Sequence, residues 1–204
     1  MTGLIRLFKL LNSIYYYIFK YPIYKLLFKH IGSKTRILTP LKIDGYQNMI
    51  LENNVVIGKY TWLAAIPLTG KTANLIISDG ASIGNFNHIY ATQSITIERK
   101  VLTADKVYIS DNLHTYENID VAILDQPIKQ LLPVIIGEGT WIGENVCIFG
   151  ASIGKHCIIG ANSVVNKNIP DYCLAVGSPA KILKRYCFNQ KVWKRVDTNN
   201  NFIE

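Results

Sequence analysis

This 204-residue chain contains four histidines. Because the usual pKa of a histidine side chain is near neutrality, they are the first candidates for acid–base chemistry. His30 lies in a basic N-terminal segment and His156 in a repeat corner, and we expect both to be solvated. His114 lies at the mouth of a long loop, within I-S-D-N-L-H-T-Y-E at residues 109–117. An imidazole there can take a proton from a hydroxyl group. The structural alternative is a loop histidine that makes a hydrogen bond.

Metal chemistry has little support in the spacing of the possible ligands. The four cysteines are Cys147, Cys157, Cys173 and Cys187, and the intervals between them fit no zinc motif. The few histidines are too badly spaced to converge on one ion. We therefore expect no metal, and we expect the cysteines to be buried thiols in a reducing compartment.

A repeat of six residues indicates which elements position His114. Aliphatic residues recur at this interval in groups of three, with one threonine in twelve positions: Ile77, Ile83, Ile89; Ile97, Thr103, Ile109; Ile136, Ile142, Ile148; Ile153, Ile159, Val165. A period of six grouped in threes predicts three short flat strands per turn, with the aliphatic side chain pointing inward. Such coils are stabilised by their neighbours. Residues 110–135 interrupt the repeat as a long protruding loop, which is typical of a functional segment.

The formal charge of +8 is concentrated at the N-terminus. Residues 1–43 contain eight basic residues and no acidic one, whereas residues 44–180 carry a net charge of −4. A basic folded face for nucleic acid is thereby excluded. Residues 1–32 alternate apolar and basic residues without a run long enough to span a bilayer, and Pro22 predicts a division into two short helices. This segment either lies on an anionic membrane surface or packs on the protein.

The second half of the chain resembles a known family. The sequences I-G-E-G-T-W-I-G-E-N-V-C at 136–147, I-G-A-N-S-V-V-N-K at 159–167 and G-S-P-A-K at 177–181 resemble the hexapeptide-repeat acyltransferases. The resemblance covers residues 33–185 and is greatest to the sugar O-acetyltransferases of the maltose and galactoside acetyltransferase group. It implies an all-β fold, a left-handed parallel β-helix over 33–176, between the N-terminal helical segment 1–32 and a C-terminal helical cap and tail over 177–204. Within that tail, Ser178–Pro179 predicts the start of a short helix.

Carried over residue by residue, the resemblance implies a site. His114 aligns with the catalytic histidine, a general base. The residues implied in acceptor binding are Asn85, Asn87 and Asp111. Asp111 could alternatively orient the imidazole or hold the loop. His88, beside the two asparagines, is a further candidate. The residues implied in binding coenzyme A are Trp141, Glu144, Gly160, Ala161, Asn166, Lys167, Lys181 and Lys184.

The function implied by the resemblance is acetyl transfer from acetyl-CoA to a sugar hydroxyl in surface-polysaccharide or lipopolysaccharide synthesis, by a cytoplasmic homotrimer with a saccharide or glycan acceptor. A peripheral position on the inner membrane face follows if residues 1–32 bind lipid. Three alternatives stay open: an N-acyltransferase for an amino sugar or nucleotide sugar, a metal-dependent β-helix enzyme of the carbonic anhydrase kind, and a non-catalytic scaffold.

Overall fold

The computed structural model describes residues 2–203. Side chains are described at residue 7 and from residue 10 onward. Met1 of the predicted N-terminal segment and Glu204 of the predicted C-terminal segment lie outside the described residues. The helical part consists of α1 (Thr2–Tyr15), a π-helical turn (Tyr16–Lys20) and α2 (Tyr21–Leu27). Short 3₁₀ turns occupy Tyr46–Asn48 and Ile123–Asp125.

The rest of the described chain is dominated by short strands. The first twelve are β1 (His30–Ile31), β2 (Arg36–Ile37), β3 (Lys42–Asp44), β4 (Met49–Leu51), β5 (Val56–Ile57), β6 (Trp62–Ala65), β7 (Asn74–Ile77), β8 (Ser82–Ile83), β9 (His88–Ala91), β10 (Ser94–Ile97), β11 (Leu102–Thr103) and β12 (Tyr108–Ser110). The others are β13 (Asn112–His114), β14 (Ile128–Gln130), β15 (Val134–Ile136), β16 (Trp141–Ile142), β17 (Cys147–Phe149), β18 (Ile158–Ile159), β19 (Val164–Val165), β20 (Cys173–Val176), β21 (Lys181–Cys187) and β22 (Val192–Arg195).

Three parallel sheets form the faces of a prism. Face A has the order β1-β4-β7-β10-β15, face B runs β2-β5-β8-β11-β16-β18-β20, and face C runs β3-β6-β9-β12-β17-β19. From β1 to β12, successive strands therefore belong to successive faces, and each pairs with the strand one coil away. This is the left-handed parallel β-helix expected from the hexapeptide repeat, and its first strand begins at His30, slightly before the predicted boundary at 33.

The core is the inward column that the repeat predicts. All twelve repeat positions from Ile77 to Val165 have 2% exposure or less. Thr103, the exception among the aliphatics, hydrogen-bonds through its hydroxyl with the Gly84 amide and the Asn87 side chain, so its polar atom is satisfied. The glycine that follows the inward residue has a steric reason, because a Cβ on Gly84 would lie 2.3 Å from the Ala104 carbonyl oxygen of the next coil.

The N-terminal helices close one end of the prism and expose an apolar surface. Tyr16 is buried, and its hydroxyl accepts a 3.1 Å hydrogen bond from the Ile37 amide of the first coil. Phe28 packs edge-on against Tyr46. The two helices are joined by the π-helical turn ahead of Pro22, so the predicted division occurs without an interruption of the helical path. Among residues 2–203, we find no helix with the length and hydropathy to cross a bilayer.

The predicted C-terminal helix is wrong. Residues 181–195 instead form an antiparallel hairpin, in which β21 pairs with β20 and with β22. The physical reason is the free edge of β20, whose backbone groups require partners. β21 mixes basic and apolar residues, and most of its positions are half-buried, so pairing with this edge is favoured over a helix that would leave it open.

Candidate functional site

His114 lies on a hairpin that leaves the prism between faces C and A. Strands β13 and β14 pair antiparallel, with His114 opposite Ile128 and Asn112 opposite Gln130. The predicted loop 110–135 is thus a structured arm over much of its length. The His114 side chain is exposed. An exposed imidazole on a fixed arm can meet a substrate hydroxyl, as a general base requires.

The base of this arm is held by Asp111, which is fully buried. One carboxylate oxygen accepts hydrogen bonds from the Thr92 amide (2.7 Å) and hydroxyl (3.0 Å). The other accepts from the amides of Gln93 and Ser94, both at 2.7 Å. The predicted role of Asp111 in acceptor binding is therefore corrected: both oxygens are occupied, and the side chain fixes the arm to a turn of the preceding coil.

A glutamine completes this anchor. The Gln130 side-chain amide donates to the Asp111 carbonyl at 2.7 Å, and its oxygen accepts from the hydroxyls of Thr92 and Thr69. The sequence analysis missed Gln130 and Thr92, because partners 19 to 38 residues apart meet only once the coils are stacked. Together these residues define the arm anchor: Thr92, Asp111 and Gln130.

The two candidate acceptor asparagines are also used inside the prism. Asn87 is 1% exposed, donates to the Thr103 hydroxyl and Ala104 carbonyl at 3.0 Å, and accepts from the Val107 amide at 2.6 Å. Asn85 is half-buried in a corner and donates to the Asp105 carboxylate at 3.2 Å. Burial of Asn87 and its three hydrogen bonds leave it no surface for an acceptor, whereas contact between Asn85 and an acceptor stays a prediction.

Three of the predicted coenzyme A residues meet in one cleft at the C-terminal end of the prism. Asn166, Lys167 and Lys181 line a space of about 880 Å³, which we call the C-terminal cleft. A second cavity of about 690 Å³ is lined by Asn166 and by Leu113, the neighbour of His114. The cleft and the arm that bears His114 therefore lie on either side of Asn166.

The far wall of this cleft was not predicted from the sequence. It is formed by the tail that follows β22, including Asp197, Thr198 and Asn200. Hydrogen bonds from the backbone amides of Asn201 and Asn199 hold the pKa of the Asp197 carboxyl below its usual range. No signal in the sequence placed this tail at the cleft, because its position depends on the unpredicted hairpin.

The other predicted donor residues lie elsewhere on the single chain. Trp141 is 49% exposed in the middle of face B, and Glu144 lies at the edge between faces B and C, where it pairs with Lys106 at 3.5 Å. Gly160 and Ala161 occupy the same edge one coil further along, and Lys184 lies beside Leu174. The structure thus separates the predicted donor residues into three places: the C-terminal cleft, the edge between faces B and C, and face B itself.

His88 belongs to an aromatic row on the outer side of face C. Its ring stacks on Trp62 with centroids 4.2 Å apart and meets Tyr108 edge-on at 5.2 Å. Its Nε2 atom is buried and has no hydrogen-bond partner among the described residues. Burial lowers the pKa of the His88 imidazole, so the neutral form is favoured in the folded protein.

We expect His88 to make stability depend on pH. Because the folded pKa lies below the unfolded value of about 6.5, the unfolded chain binds the proton more readily, and stability is lost as pH falls below about 6.5. His88→Phe should keep the stack on Trp62 and remove this loss. Urea unfolding at pH 7 and pH 5 tests the prediction, with His30→Phe as the control at an exposed position; an equal acid-induced loss in wild type and His88→Phe would contradict it.

Residues 133–167 match the family described as "Hexapeptide repeat of succinyl-transferase". The chain is 35% identical over 128 residues to the "Putative lipopolysaccharide biosynthesis O-acetyl transferase WbbJ" of Escherichia coli strain K12. These sequences show that the chain is similar to hexapeptide-repeat acyltransferases. The WbbJ match covers 59% of this chain and 65% of WbbJ, slightly under two thirds of that relative. Galactoside O-acetyltransferase of the same strain is 26% identical over 155 residues, which cover 71% of this chain and 70% of the relative.

A solved structure with the same architecture supports the fold of this chain. AntD of Bacillus cereus, an N-acyltransferase in complex with dTDP and 3-hydroxybutyryl-CoA, superposes with a TM-score of 0.69 and 18% identity, covering 81% of this chain and 87% of AntD. Six of the predicted donor residues lie inside the segment matched to the family repeat: Trp141, Glu144, Gly160, Ala161, Asn166 and Lys167.

Proposed function

We propose that this protein transfers an acetyl group from acetyl-CoA to a hydroxyl group of a sugar, in the synthesis of a surface polysaccharide or lipopolysaccharide. The observation that carries the proposal is the C-terminal cleft, where Asn166, Lys167 and Lys181 converge. Asn166 also lines the neighbouring cavity, to which the arm that bears His114 contributes Leu113. Two lysines give the cleft the positive charge that a phosphate-rich donor requires. The similarity to WbbJ and to galactoside O-acetyltransferase supports the sugar acceptor.

In the proposed mechanism, His114 is a general base. Its imidazole takes the proton of the acceptor hydroxyl while the oxygen attacks the thioester carbonyl, so that a C–O bond forms. The carbonyl oxygen gains negative charge, which a backbone N–H near Glu144 would stabilise. The C–S bond then breaks, and the imidazolium returns its proton to the departing sulfur of coenzyme A.

We also propose that the active protein is a homotrimer with sites between subunits. The separation of the donor residues supports this arrangement, since Asn166 and Lys167 of one subunit and Gly160 and Ala161 of the next could face a common groove only in an assembly. Light scattering should give the mass of three chains, and an active monomer would overturn this part of the proposal.

The experiment for the activity is mass spectrometry of products formed from acetyl-CoA and a panel of sugars, amino sugars and nucleotide sugars. Alkaline hydrolysis separates the two product types, because esters are cleaved readily and amides are not. We expect a base-labile acetyl ester. An amide would establish N-acyl transfer instead, and failure to bind coenzyme A by calorimetry would favour a scaffold.

The third part of the proposal is a peripheral position on an anionic membrane, through the outer side of the N-terminal helices. Among the described residues, this side exposes several large apolar side chains, which we call the apolar helix face: Leu10, Leu11, Ile18, Phe19, Ile23 and Leu26. The acid-free sequence around them is attracted to anionic lipid.

A pair of charge insertions tests this contact. Ile18→Glu with Leu26→Glu should abolish sedimentation with phosphatidylglycerol-containing vesicles, because both side chains are exposed (59% and 87%) and would carry charge into the lipid. The matched control is Ile119→Glu with Leu124→Glu, whose positions on the catalytic arm are as exposed (93% and 85%). Equal binding by the two double variants would contradict membrane contact through the helices.

A further inference from the structure

A cavity of about 740 Å³ separates the N-terminal helices from the first coils. The helix side contributes Tyr15, Tyr16 and Lys20, and the coil side contributes Arg36 and Lys59. The described residues that line the cavity include these three cations and no carboxylate. A cavity with such a lining favours an anion, and a guanidinium in particular matches the oxygens of a phosphate group.

The rest of the lining is hydroxylic and apolar. Ser13 and Thr39 offer hydroxyl groups, while Ile37, Leu38 and the Tyr15 ring give the cavity an apolar part. A free phosphate ion would not require this apolar part. A phosphate joined to an apolar chain would contact both the cations and the apolar part of the lining.

The walls of the cavity are fixed by hydrogen bonds between the helices and the coil. The Tyr16 hydroxyl accepts from the Ile37 amide, and the Tyr21 hydroxyl donates to the Gly32 carbonyl at 3.1 Å. Burial raises the pKa of Tyr16 to about 12, so its hydroxyl keeps a proton that it can donate. These hydrogen bonds fix the helices against the coil, so the backbone positions that carry the three cations are set before a ligand arrives.

Two local backbone features coincide with the cavity. Lys20 ends the π-helical turn, and such turns within α-helices occur often at functional sites. Thr39 has φ 37°, a conformation that a β-branched residue rarely adopts. The same left-handed conformation occurs at the corresponding corners of later coils, among them Tyr60, Phe86 and Lys106, so this angle belongs to the coil geometry.

The cavity adjoins the surface that we propose to face the membrane. Tyr15 lines the cavity and is 54% exposed, and Ile14 and Ile18, its neighbours on the helix, are 44% and 59% exposed. A lipid whose acyl chains lie against the apolar helix face can therefore extend its headgroup toward Lys20, Arg36 and Lys59.

We propose that this cavity binds the phosphate headgroup of a membrane lipid, with Lys20, Arg36 and Lys59 contacting the phosphate oxygens. The inference deepens the proposed membrane contact, on which it rests for the source of the phosphate. It differs from a diffuse attraction to anionic lipid, because it assigns the recognition to three particular cations and to a phosphate that is accessible at the end of its headgroup.

The test compares two triple variants of the full chain with equal loss of charge. The first is Lys20→Gln, Arg36→Gln and Lys59→Gln, within the cavity. The second is Lys25→Gln, Lys29→Gln and Lys34→Gln, at exposed positions outside it. Vesicles of phosphatidylcholine with phosphatidic acid present a terminal phosphate, and vesicles with phosphatidylglycerol present a phosphate covered by glycerol.

On phosphatidic acid vesicles, we expect the cavity variant to lose at least about tenfold more affinity than the exposed variant, the size of effect typical of lost charged hydrogen bonds. On phosphatidylglycerol vesicles, both variants should lose the same amount. Equal losses on phosphatidic acid would overturn the proposal and leave only diffuse attraction. Unchanged thermal unfolding of both variants checks that the fold is kept.

Soluble ligands separate the sources of phosphate and the two proposals. Dihexanoyl phosphatidic acid below its micelle concentration should bind wild type and not the cavity variant by calorimetry, without any vesicle present. If inorganic phosphate binds the wild-type protein with the same affinity as dihexanoyl phosphatidic acid, the ligand is not a lipid. Binding of the soluble lipid without vesicle binding would overturn the membrane contact and leave the cavity site standing, and acetyl transfer to a soluble acceptor should be the same in both triple variants.

Discussion

Replacing His114 by alanine is expected to lower the rate of acetyl transfer by about 10²–10⁴-fold, the contribution usual for a general base. The side chain is exposed on β13, so the substitution removes an imidazole without opening a cavity in the core. Urea unfolding and the mass measured by light scattering should therefore be unchanged. The measurement is the steady-state rate with acetyl-CoA and a soluble acceptor, at saturating concentrations of both.

His30→Ala is the matched control, because it removes an exposed histidine at the first coil, far along the stack from the catalytic arm. It should retain the wild-type rate. A near-normal rate for His114→Ala would refute the assignment of the base. A loss of the trimer in His114→Ala would instead show that the histidine has a structural role.

Asp111→Asn is expected to reduce the free energy of unfolding by about 2–4 kcal/mol, since it removes charged hydrogen bonds and leaves buried donors unsatisfied. Each carboxylate oxygen accepts at least two hydrogen bonds, from Thr92 on one side and from Gln93 and Ser94 on the other. An asparagine has one oxygen, so its NH₂ group must face donors in either orientation. Urea denaturation measures the loss directly.

The kinetics of this variant distinguish anchoring from acceptor binding. If Asp111 holds the arm, the rate falls together with stability, because His114 is no longer held in position. Asp120→Asn, an exposed change on the same arm, should alter neither quantity. An Asp111→Asn protein of wild-type stability with a raised KM for the sugar would contradict the anchor and restore the acceptor role.

The prism itself follows from local sequence. An inward residue every six positions is a steric requirement that each coil meets separately, so Ile109 or Ile142 can be assigned to the core without knowing its neighbours. Small residues after the inward position have the same local origin, as the contact that Gly84 would make shows. The family resemblance supplied the hand of the helix, which the period alone does not contain.

The polar residues were harder to interpret, because their partners belong to other coils. Asn87 and Asp111 have the residue types expected of a sugar site, and the sequence does not show which buried donors and acceptors their side chains meet. Their actual partners, Thr103, Val107 and Thr92, become neighbours only when coils of different length are stacked. Loop 110–135 and other insertions shift that register, so no spacing rule would have paired Gln130 with Thr92.

The C-terminal segment failed for a related reason. Ser178–Pro179 has the local chemistry of a helix start, and local chemistry was the only guide available. The open edge of β20 decided the outcome, and a strand edge exists only after the coils have formed. The consequence reached the site, since the hairpin brings Lys181 and the tail to the cleft where a helix would have placed Lys181 and Lys184 together.

The fixed spacing of the coils makes the prism a rigid spacer with discrete lengths. Neighbouring parallel strands lie about 4.8 Å apart. The three steps on face C from β3 to β12 therefore place the base of the arm that bears His114 about 14 Å from the first coil. The six steps on face B from β2 to β20 amount to about 29 Å. Each strand between these ends is paired on both sides, which leaves no hinge along the axis. The distance between the helix-covered end and the arm that bears His114 is therefore set by the whole number of coils between them.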